Sequence, residues 1–382
     1  MVGSSEPTVL LPGGSIYSEN PYMDLLTGGL EANGVDVRYS EKFVFLPITR
    51  GVLRHRDVDV VQLEWLYPFY TIDDLEFEPA NRTLTFLRAV ALLVDLTIVA
   101  LLPVYTVRTV HNRHHHDRAY PRIERVLNEL AFALASAVVV KCERAVGIID
   151  AEYRAADPDR MYVVSDGSYV PTYENDVSRE RARNELSIPD DAFVYLYFGL
   201  IRGYKGVPDL LQAYTALERS DTQLWIVGNP DSEELEREIR DVADRTTDVT
   251  TVFDYVPGER IQYFMNAADV LVLPYRDILN SGTTYAGLTF GLPIVAPRIG
   301  CIPETVSAKN DLLYDPDQPN GLRSALETVY EHPDLESVGE TNYERAIGRS
   351  WDRVGKEYLG VYRSLSEDRS RLNRSKSSPR SD

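Results

Sequence analysis

Cysteine, tryptophan, methionine and lysine are all scarce in this chain of 382 residues, which contains two, three, four and six of them. Cys142 and Cys301 lie far apart and form no CxxC pair, which excludes a disulfide-rich scaffold and a zinc ribbon. Lysine supplies only six of 40 basic residues, against 59 acidic residues and a net charge of −19. A chain this acidic is not a general nucleic-acid binder, because it would release few counterions from a phosphate backbone.

An acidic, lysine-poor composition is typical of proteins from salt-loving microbes, since high salt screens the repulsion among surface carboxylates. The segment Met1–Pro12 has no basic region, and its apolar run of about four residues is shorter than a signal peptide requires. We therefore expect a halophilic, cytoplasmic protein.

One long apolar run, Leu84–Leu102, is almost long enough to cross a bilayer. Arg88 and Asp95 would be costly in lipid, and the strand-like Val104–Val107 follows directly. We expect a buried helix here. A helix in peripheral contact with the cytoplasmic membrane face and a true span are the alternatives.

Short β-rich runs alternate with amphipathic helical stretches along most of the chain, which predicts βαβ units and an α/β fold with parallel sheets. The strands predicted for the first half are Thr8–Leu11, Val35–Tyr39, Val58–Leu63, Val104–Thr109 and Ala137–Val140. Those predicted for the second half are Phe193–Phe198, Gln223–Val227, Thr250–Tyr255, Val270–Pro274 and Pro293–Ala296.

The chain is too long for one hydrophobic core, so two domains are expected, with a hinge in the polar segment Pro171–Arg181. The tail Glu367–Asp382 is rich in serine and arginine and has little apolar surface, which predicts disorder.

The loop after the strand Phe193–Phe198 carries the first chemically informative residues. Gly199 lets the backbone approach a ligand closely, Arg202 offers a planar fork for phosphate oxygens, and Lys205 offers a point charge. In a parallel sheet this loop lies at the carboxyl edge, where ligands bind. A turn with two solvated cations is the alternative.

A second candidate anion site follows the strand Val270–Pro274 and Tyr275. Ser281 is a suitable N-cap, and Gly282 and Thr283 begin a helix whose free amides and positive dipole end attract anions. Any capped helix has these features, but two such sites at the strand ends of one sheet predict a diphosphate site. Charge that develops on a leaving diphosphate would be stabilised there without a metal.

Together with these two motifs, three further segments resemble glycosyltransferase family 4 and its GT-B fold: Gly291–Pro297, Ile302-Pro303-Glu304 and Ser350–Tyr362. The resemblance implies two Rossmann-like parallel-sheet domains that face a cleft, with the last helix crossing back to the first domain. It implies an acceptor-side domain at 1–175 with 348–366 packed on it, and a nucleotide-sugar domain at 185–345 before the disordered tail at 367–382. Gly199, Tyr275 and Glu304 are expected on the nucleotide side.

One departure from the family concerns a pair of glutamates that usually contact the donor sugar and ribose. Ile278 and Ala286 stand at those positions. The chain is similar in this respect to a subgroup of relatives in surface polysaccharide and glycolipid synthesis.

In the first half, Gly13 and Gly14 resemble the glycine loop of GT-B enzymes near donor phosphate and acceptor, and Asn20 follows. An ordinary βα turn is the alternative. Trp65 belongs to an aromatic cluster after the third predicted strand, which is expected to stack on a sugar, face lipid or pack in the core.

Four of the six histidines follow the strand Val104–Thr109, which directs them towards the expected cleft. His111-Asn112 resembles a Thr-Val-His-Asn motif of the relatives, in which the histidine would orient the donor or act as base. His115, Asp117 and Glu64 are rival or supporting catalytic candidates. A zinc site formed by His111, His115 and Asp117 is an alternative, as is a solvated run of histidines.

The sequence therefore predicts a metal-independent, cofactor-free hexosyltransferase that moves a sugar from a nucleotide-diphosphate sugar to a glycan or lipid-linked acceptor. Surface polysaccharide, glycolipid or glycoprotein synthesis is the expected setting. A nucleotide-sugar epimerase on the same fold and a non-catalytic GT-B scaffold subunit are the alternatives.

Overall fold

The computed structural model describes residues 6–13, 21–40, 45–71, 78–114 and 120–377. The chain forms two compact units. Unit 1 comprises Met1–Gly167 together with Ser350–Asp382, and unit 2 comprises Ser168–Arg349.

Unit 1 contains a six-stranded parallel sheet in the order β2-β1-β3-β4-β5-β6. All residues of β3 and β5 are buried, as expected for central strands of a sheet that is covered on both faces. Its strands are β1 (Thr8–Pro12), β2 (Asp36–Ser40), β3 (Val60–Leu63), β4 (Tyr105–Thr109), β5 (Ala137–Val140) and β6 (Met161–Val163). Its helices before unit 2 are α1 (Pro21–Ala32), α2 (Pro47–Arg54), α3 (Tyr67–Tyr70), α4 (Glu78–Leu101), α5 (Pro121–Leu134) and α6 (Glu143–Glu152).

Unit 2 contains a second six-stranded parallel sheet in the order β12-β11-β10-β7-β8-β9. Its strands are β7 (Phe193–Phe198), β8 (Thr222–Val227), β9 (Val249–Val252), β10 (Val270–Val272), β11 (Ile294–Pro297) and β12 (Leu313–Tyr314). Its helices are α7 (Arg179–Leu186), α8 (Val207–Thr215), α9 (Glu233–Ala243), α10 (Gly258–Ala267), α11 (Gly282–Thr289), α12 (Ile302–Thr305), α13 (Gly321–Tyr330) and α14 (Leu335–Ile347). The two sheets confirm the predicted pair of Rossmann-like units.

Each sheet has one point at which the strand order reverses. In unit 1 it lies between β1 and β3, and in unit 2 between β7 and β10. In open parallel sheets the crevice beyond the carboxyl ends of such strands is the usual ligand site. The loops after β1, β3, β7 and β10 are therefore where function is expected.

The last helix, α15 (Trp351–Ser377), belongs to unit 1 and packs closely on α1. A Cβ atom at Gly29 would lie only 2.2 Å from the carbonyl oxygen of Trp351, so glycine permits this approach. The helix continues to Ser377, through the first part of the tail that was expected to be disordered, and no glycine or proline interrupts this part. Residues 378–382 lie outside the described part of the chain.

The apolar run Leu84–Leu102 forms most of α4, but the expectation of a fully buried helix was wrong. Only a third of its most apolar window is buried. Leu92, Leu96 and Val99 pack in the core of unit 1, whereas Phe86 and Leu87 are more than half exposed.

Candidate active site

Glycines bring the two predicted phosphate-binding loops of unit 2 together. Gly206 has a φ of +70°, and a Cβ atom there would lie 2.0 Å from the carbonyl oxygen of Pro274. The Arg276 amide also donates to the Tyr204 carbonyl over 2.8 Å. The loop after β7 is thereby fixed against the loop after β10.

Residues from both loops meet at Gly199, whose φ is +115°. A Cβ atom at this position would lie 3.1 Å from Thr283 Oγ1 and 3.8 Å from Lys205 Nζ. Only glycine leaves this space open. The residues predicted from two separate motifs therefore share one site at the strand-order reversal of unit 2.

Lys205 is a half-buried cation in this site, with Nζ 5.8 Å from the centre of the Tyr275 ring. Burial, followed by the positive charge of Arg202, lowers the pKa of Lys205 to about 8. Asp209, on the helix that follows, pairs instead with the Arg276 guanidinium through two contacts of 2.6 Å. Among the described residues, no carboxylate forms an ion pair with Lys205.

The start of α11 completes the site. Ser281 caps the helix by accepting a hydrogen bond from the Thr284 amide over 3.2 Å, and its Oγ lies 3.1 Å from the Tyr275 hydroxyl. Gly282 is exposed, and a Cβ atom there would have nothing within 4 Å. The space beside Gly282 at the positive end of the helix dipole is therefore open, which suits an anion.

The segment before α12 joins this region through its backbone. A Cβ atom at Gly300 would lie 2.3 Å from the Ile278 carbonyl oxygen, and the Cys301 amide donates to the Leu279 carbonyl over 2.7 Å. Glu304 lies one turn further on, half-buried, and its carbonyl accepts a hydrogen bond from Arg345.

The two positions at which relatives carry glutamates are integrated into the apolar core. Ala286 is buried in α11, and Ile278 packs against the same hydrophobic cluster.

In unit 1, the ends of β3 and β4 form a second polar site. His111 Nε2 lies 2.7 Å from Glu64 Oε2, and Thr109 donates to Glu64 Oε1 over 2.9 Å. Gln62 also donates to this carboxylate. The structure thus brings together Glu64 and His111, which the sequence proposed as rivals for one role.

Burial by itself would raise the pKa of the Glu64 carboxyl. The hydrogen bond and charge of His111, the charge of Lys141 and the hydrogen bond of Gln62 together lower it to about 2. Burial also lowers the pKa of His111, against the opposing effect of Glu64. The arrangement at neutral pH is therefore an ionised Glu64 that accepts the Nε2 proton of a neutral His111, which leaves Nδ1 with its lone pair.

Aromatic rings hold the imidazole in position. Trp65 stacks on His111 with ring centres 4.3 Å apart, and Tyr22 meets it edge-on at 4.7 Å. The Trp65 indole is therefore in contact with the predicted base, and the ring of His111 has one orientation.

Sequence reasoning missed a buried ion pair beneath this site. Lys141 Nζ lies 2.8 Å from Asp166 Oδ1 and donates to the Tyr22 hydroxyl over 3.0 Å. The charge of Asp166 and other partners raise the pKa of Lys141, although burial opposes the shift. Lys141 directly follows β5, so its position after a predicted strand was a signal, although its partner Asp166 was not visible in any local pattern.

The helix α15 supplies two further residues to this hydrogen-bond network, and no local sequence pattern indicates them. The Tyr358 hydroxyl lies 3.4 Å from Lys141 Nζ and 3.3 Å from Thr109 Oγ1, and the Tyr362 hydroxyl donates to Gln62. Burial raises the pKa of both phenols, so they stay protonated and able to donate.

A pocket opens beside His111. Its lining includes Trp65, Tyr67, His111, Asn112 and Asn128. Flat rings beside amides and an imidazole suit a polyhydroxyl ligand, because rings pack on sugar C–H faces while polar groups hydrogen-bond hydroxyls.

The glycine loop after β1 is described only at its start. Gly13 has a φ of +80°, and its amide donates to Ser40 Oγ over 3.2 Å. The predicted Gly14, Asn20, His115 and Asp117 lie outside the described residues. Among the residues that the structure does describe, no group of three or more histidine, cysteine, aspartate or glutamate side chains could hold a metal ion.

Comparison with known sequences relates the chain to one class of enzyme. Residues 192–332 match the family model described as "Glycosyl transferases group 1". The chain is 28% identical over 272 residues to D-inositol 3-phosphate glycosyltransferase of Corynebacterium efficiens, covering 68% of this chain and 64% of that relative. It is 32% identical over 171 residues to GDP-mannose:glycolipid 4-beta-D-mannosyltransferase of Xanthomonas campestris pv. campestris, covering 44% of this chain and 47% of the relative. The matches span less than two thirds of the length of either relative.

Solved structures share the fold over nearly the whole chain. Sucrose-phosphate synthase from Thermosynechococcus elongatus has a TM-score of 0.70 and 16% identity, covering 95% of this chain and 100% of that one. Anabaena HepE in complex with UDP and glucose has a TM-score of 0.68 and 15% identity, covering 94% and 100%. Fold and sequence matches together support a transferase enzyme, a GT-B glycosyltransferase, and confirm the resemblance stated above.

Proposed function

We propose that this GT-B glycosyltransferase moves a sugar from a nucleotide-diphosphate sugar to a glycan or lipid-linked acceptor, in the cytoplasm. Surface polysaccharide, glycolipid or glycoprotein synthesis is the proposed setting. The single observation that carries the proposal is the meeting of Lys205, Thr283 and Gly199 at the strand-order reversal of unit 2.

The charge balance of that site is the physical reason for a diphosphate. Two cations, Arg202 and Lys205, lie close enough for the first to lower the pKa of the second, and Asp209 is occupied by Arg276. A site that holds like charges together is relieved when an anion binds. The start of α11 adds amide donors and a favourable dipole.

The same groups would act on the reaction itself. When the bond between the sugar C1 and the diphosphate oxygen breaks, negative charge grows on the leaving nucleoside diphosphate. Arg202, Lys205 and the α11 amides would stabilise that charge more strongly in the transition state than in the bound donor. This chemistry needs no resident cofactor, and none is proposed.

In an inverting transfer, the acceptor hydroxyl must lose its proton as its oxygen attacks C1. His111 is the proposed base, with Nδ1 as the accepting atom and Glu64 as the positioning residue that holds the Nε2 proton. Asn112 is proposed to orient substrate beside it. His115 and Asp117 stay predictions as further catalytic candidates.

The pocket beside His111 is the proposed acceptor site, with Trp65 as its stacking platform. Gly13, Gly14 and Asn20 stay predictions for the acceptor side. The sugar of the donor is not specified by these groups, since Ile278 and Ala286 are apolar. The nucleotide is proposed to be UDP or GDP, because HepE was solved with UDP and the Xanthomonas relative is named for GDP-mannose. Gly199, Tyr275 and Glu304 are proposed on the nucleotide side.

Neither a nucleotide-sugar epimerase nor a non-catalytic scaffold is favoured by the comparisons, whose curated relatives carry the names of glycosyltransferases.

Thermal-shift titrations with UDP, GDP and their common sugars test the donor site, since a ligand that binds only the folded state raises the melting temperature. One nucleoside diphosphate should stabilise the protein. Arg202→Ala and Lys205→Ala should each weaken its binding by about 10- to 100-fold, the loss expected for one charge-assisted contact.

Lys309→Ala is the matched control, since it removes an exposed lysine from the same unit. It should leave nucleotide affinity unchanged. The proposal fails if no nucleotide binds, or if all three variants bind as the parent does.

A further inference from the structure

Helix α4 turns a charged residue inwards and apolar residues outwards. Asp95 is fully buried, and its two carboxylate oxygens accept hydrogen bonds from the Ile48 and Thr49 amides, each over 2.8 Å. These amides form the start of α2, so Asp95 fixes α4 against α2. The orientation of α4 is therefore set by the core of unit 1.

The outward face of α4 is apolar from Thr83 to Leu101. Phe86 is 57% exposed, Leu87 56% and Leu101 82%. The side chains that are exposed along this stretch are Thr83, Leu84, Phe86, Leu87, Val90, Val94, Thr97, Ala100 and Leu101. None of them carries a charge, over a length that matches the width of a small domain.

The neighbouring helices extend this apolar face and carry exposed arginines. Both α2 and α5 pack against α4, and they add Leu53 and Val126, which are 57% and 55% exposed. The charged side chains that are exposed on the described parts of the three helices are all arginine: Arg50, Arg54, Arg82, Arg122 and Arg125. Arg125 is paired with Glu152 and with the partly exposed Glu129 of α5. The exposed charges of these helices are nevertheless mainly positive, in a chain whose net charge is −19.

We propose that α4, with the flanking surfaces of α2 and α5, is a docking face that holds unit 1 on an anionic lipid surface. Apolar side chains at the centre would enter the acyl boundary, and the arginines around them would meet lipid phosphates. Repulsion between arginines argues against a second copy of the chain as the occupant. A two-fold interface through this face would bring the two sets of arginines together.

The helix lies on the membrane rather than crossing it. Its mean hydropathy of 2.2 is sufficient for a span, but its inner side packs on the sheet through Leu92 and Leu96. Crossing would require Asp95 to leave the α2 amides and enter lipid as a charge. Contact through one face leaves the fold of unit 1 unchanged.

This inference rests on the proposed function, because it selects a lipid-linked acceptor from the two classes proposed there. The pocket beside His111 is lined partly by Tyr67 and Tyr70 of α3 and by Asn128 of α5. Since α3 and α5 both pack on α4, the pocket is near the docking face within the same unit. An acceptor anchored in the membrane would present its hydroxyl groups there.

Vesicle co-sedimentation of the full chain tests the docking face. Vesicles of phosphatidylcholine containing phosphatidylglycerol should bind the protein more tightly than vesicles of phosphatidylcholine alone. Phe86→Gln/Leu87→Gln should weaken binding by at least about tenfold, because two apolar side chains no longer enter the lipid. Arg50→Gln and Arg122→Gln should each weaken binding to the anionic vesicles by about fivefold.

The matched control is Tyr255→Gln/Ile347→Gln, which removes two exposed apolar side chains from unit 2 and should leave vesicle binding unchanged. The glutamine variants should keep the parent's melting temperature and nucleotide affinity, since all the changed residues are exposed. Loss of vesicle binding with nucleotide binding intact supports the docking face. Loss of nucleotide binding in the parent itself would instead contradict the proposed function.

Three results would overturn the inference. The first is failure of the parent to bind either kind of vesicle, and the second is equal binding by the parent and Phe86→Gln/Leu87→Gln. The third is a dimer, detected by light scattering without lipid, that the same double substitution dissociates, which would assign the face to a second copy.

Discussion

The two strand-order reversals of this molecule hold polar sites of opposite design. In unit 1, Glu64 is hydrogen-bonded to His111 and Lys141 is ion-paired with Asp166, so these buried polar groups have partners inside the protein. In unit 2, Lys205 lies near the cation Arg202, and Asp209 is ion-paired with Arg276 instead. The first site has its partners without a ligand, whereas we propose that an anion supplies the missing partner of the second. Substitutions in unit 1 should therefore affect stability and chemistry, and those in unit 2 should affect binding.

The largest effect is expected from His111→Gln, which removes the proposed base but keeps a polar side chain of similar size. Turnover, measured as nucleoside diphosphate released from the donor chosen by thermal shift, should fall by about 10²- to 10⁴-fold. Glu64→Gln should also lower turnover, because the Nε2 proton of His111 loses its ionised acceptor. Nucleotide affinity should be unchanged in both variants. Turnover equal to the parent's would assign the base to another residue.

The two lysines should differ in their effect on folding. Lys141→Met removes the cation that is ion-paired with the buried Asp166 and should cost about 3–5 kcal/mol of unfolding free energy in urea denaturation. Lys205→Met removes a cation that is unfavourable in the folded protein, since burial lowers its pKa to about 8. The free energy of unfolding should therefore equal or exceed that of the parent. Lys356→Met, at an exposed position in unit 1, is the control. Equal losses for Lys141→Met and Lys205→Met would refute the contrast between the two sites.

Affinity for the nucleoside diphosphate should depend on pH through Lys205. The ligand-free pKa is about 8, so Lys205 is mostly charged at pH 7 and mostly neutral at pH 9. Because a diphosphate favours the charged form, affinity should fall as pH rises through 8, by up to about tenfold by pH 9. Calorimetric titration should show proton uptake on binding in this range. In Lys205→Met both the pH dependence and the proton uptake should disappear.

The smallest effect should come from Tyr275→Phe, which removes only the hydroxyl that lies 3.1 Å from Ser281 Oγ. The ring beside Lys205 remains, so nucleotide affinity should change by less than in Lys205→Ala. Loss of one hydrogen bond should cost about 1 kcal/mol of unfolding free energy. A larger loss of nucleotide affinity would place the hydroxyl itself on the ligand.

The residues of the proposed donor site could be found in the sequence because they belong to local motifs that follow strands. Lys205 and Thr283 each follow a recognisable apolar strand, and parallel strands present such ends at one edge of the sheet. Strands β6 and β12 were missed because three and two residues are too short to show a periodicity. Burial of α4 was mispredicted because hydropathy alone does not distinguish an apolar face turned to the core from one turned outwards.

The network in unit 1 was not predictable in the same way. Lys141 and Asp166 are 25 positions apart, and Tyr358 comes from a helix that follows all of unit 2. No local pattern reports such long-range pairs. Glu64 and His111 were predicted to follow two strands, and those strands, β3 and β4, are adjacent in the sheet. The two residues were predicted as alternative bases, because a sequence does not show the hydrogen bond between them.

The contribution of α15 has a consequence for the order in which this protein matures. On the ribosome, the first 167 residues emerge well before Tyr358 and Tyr362 do, and the whole of unit 2 is synthesised between them. Until the last helix emerges, Gln62 lacks its partner Tyr362, and Lys141 lacks Tyr358. Unit 2 can therefore complete its fold during translation, whereas unit 1 becomes complete only when synthesis is almost finished. A nascent or truncated chain that ends at Arg349 would hold a formed donor site and no finished catalytic one.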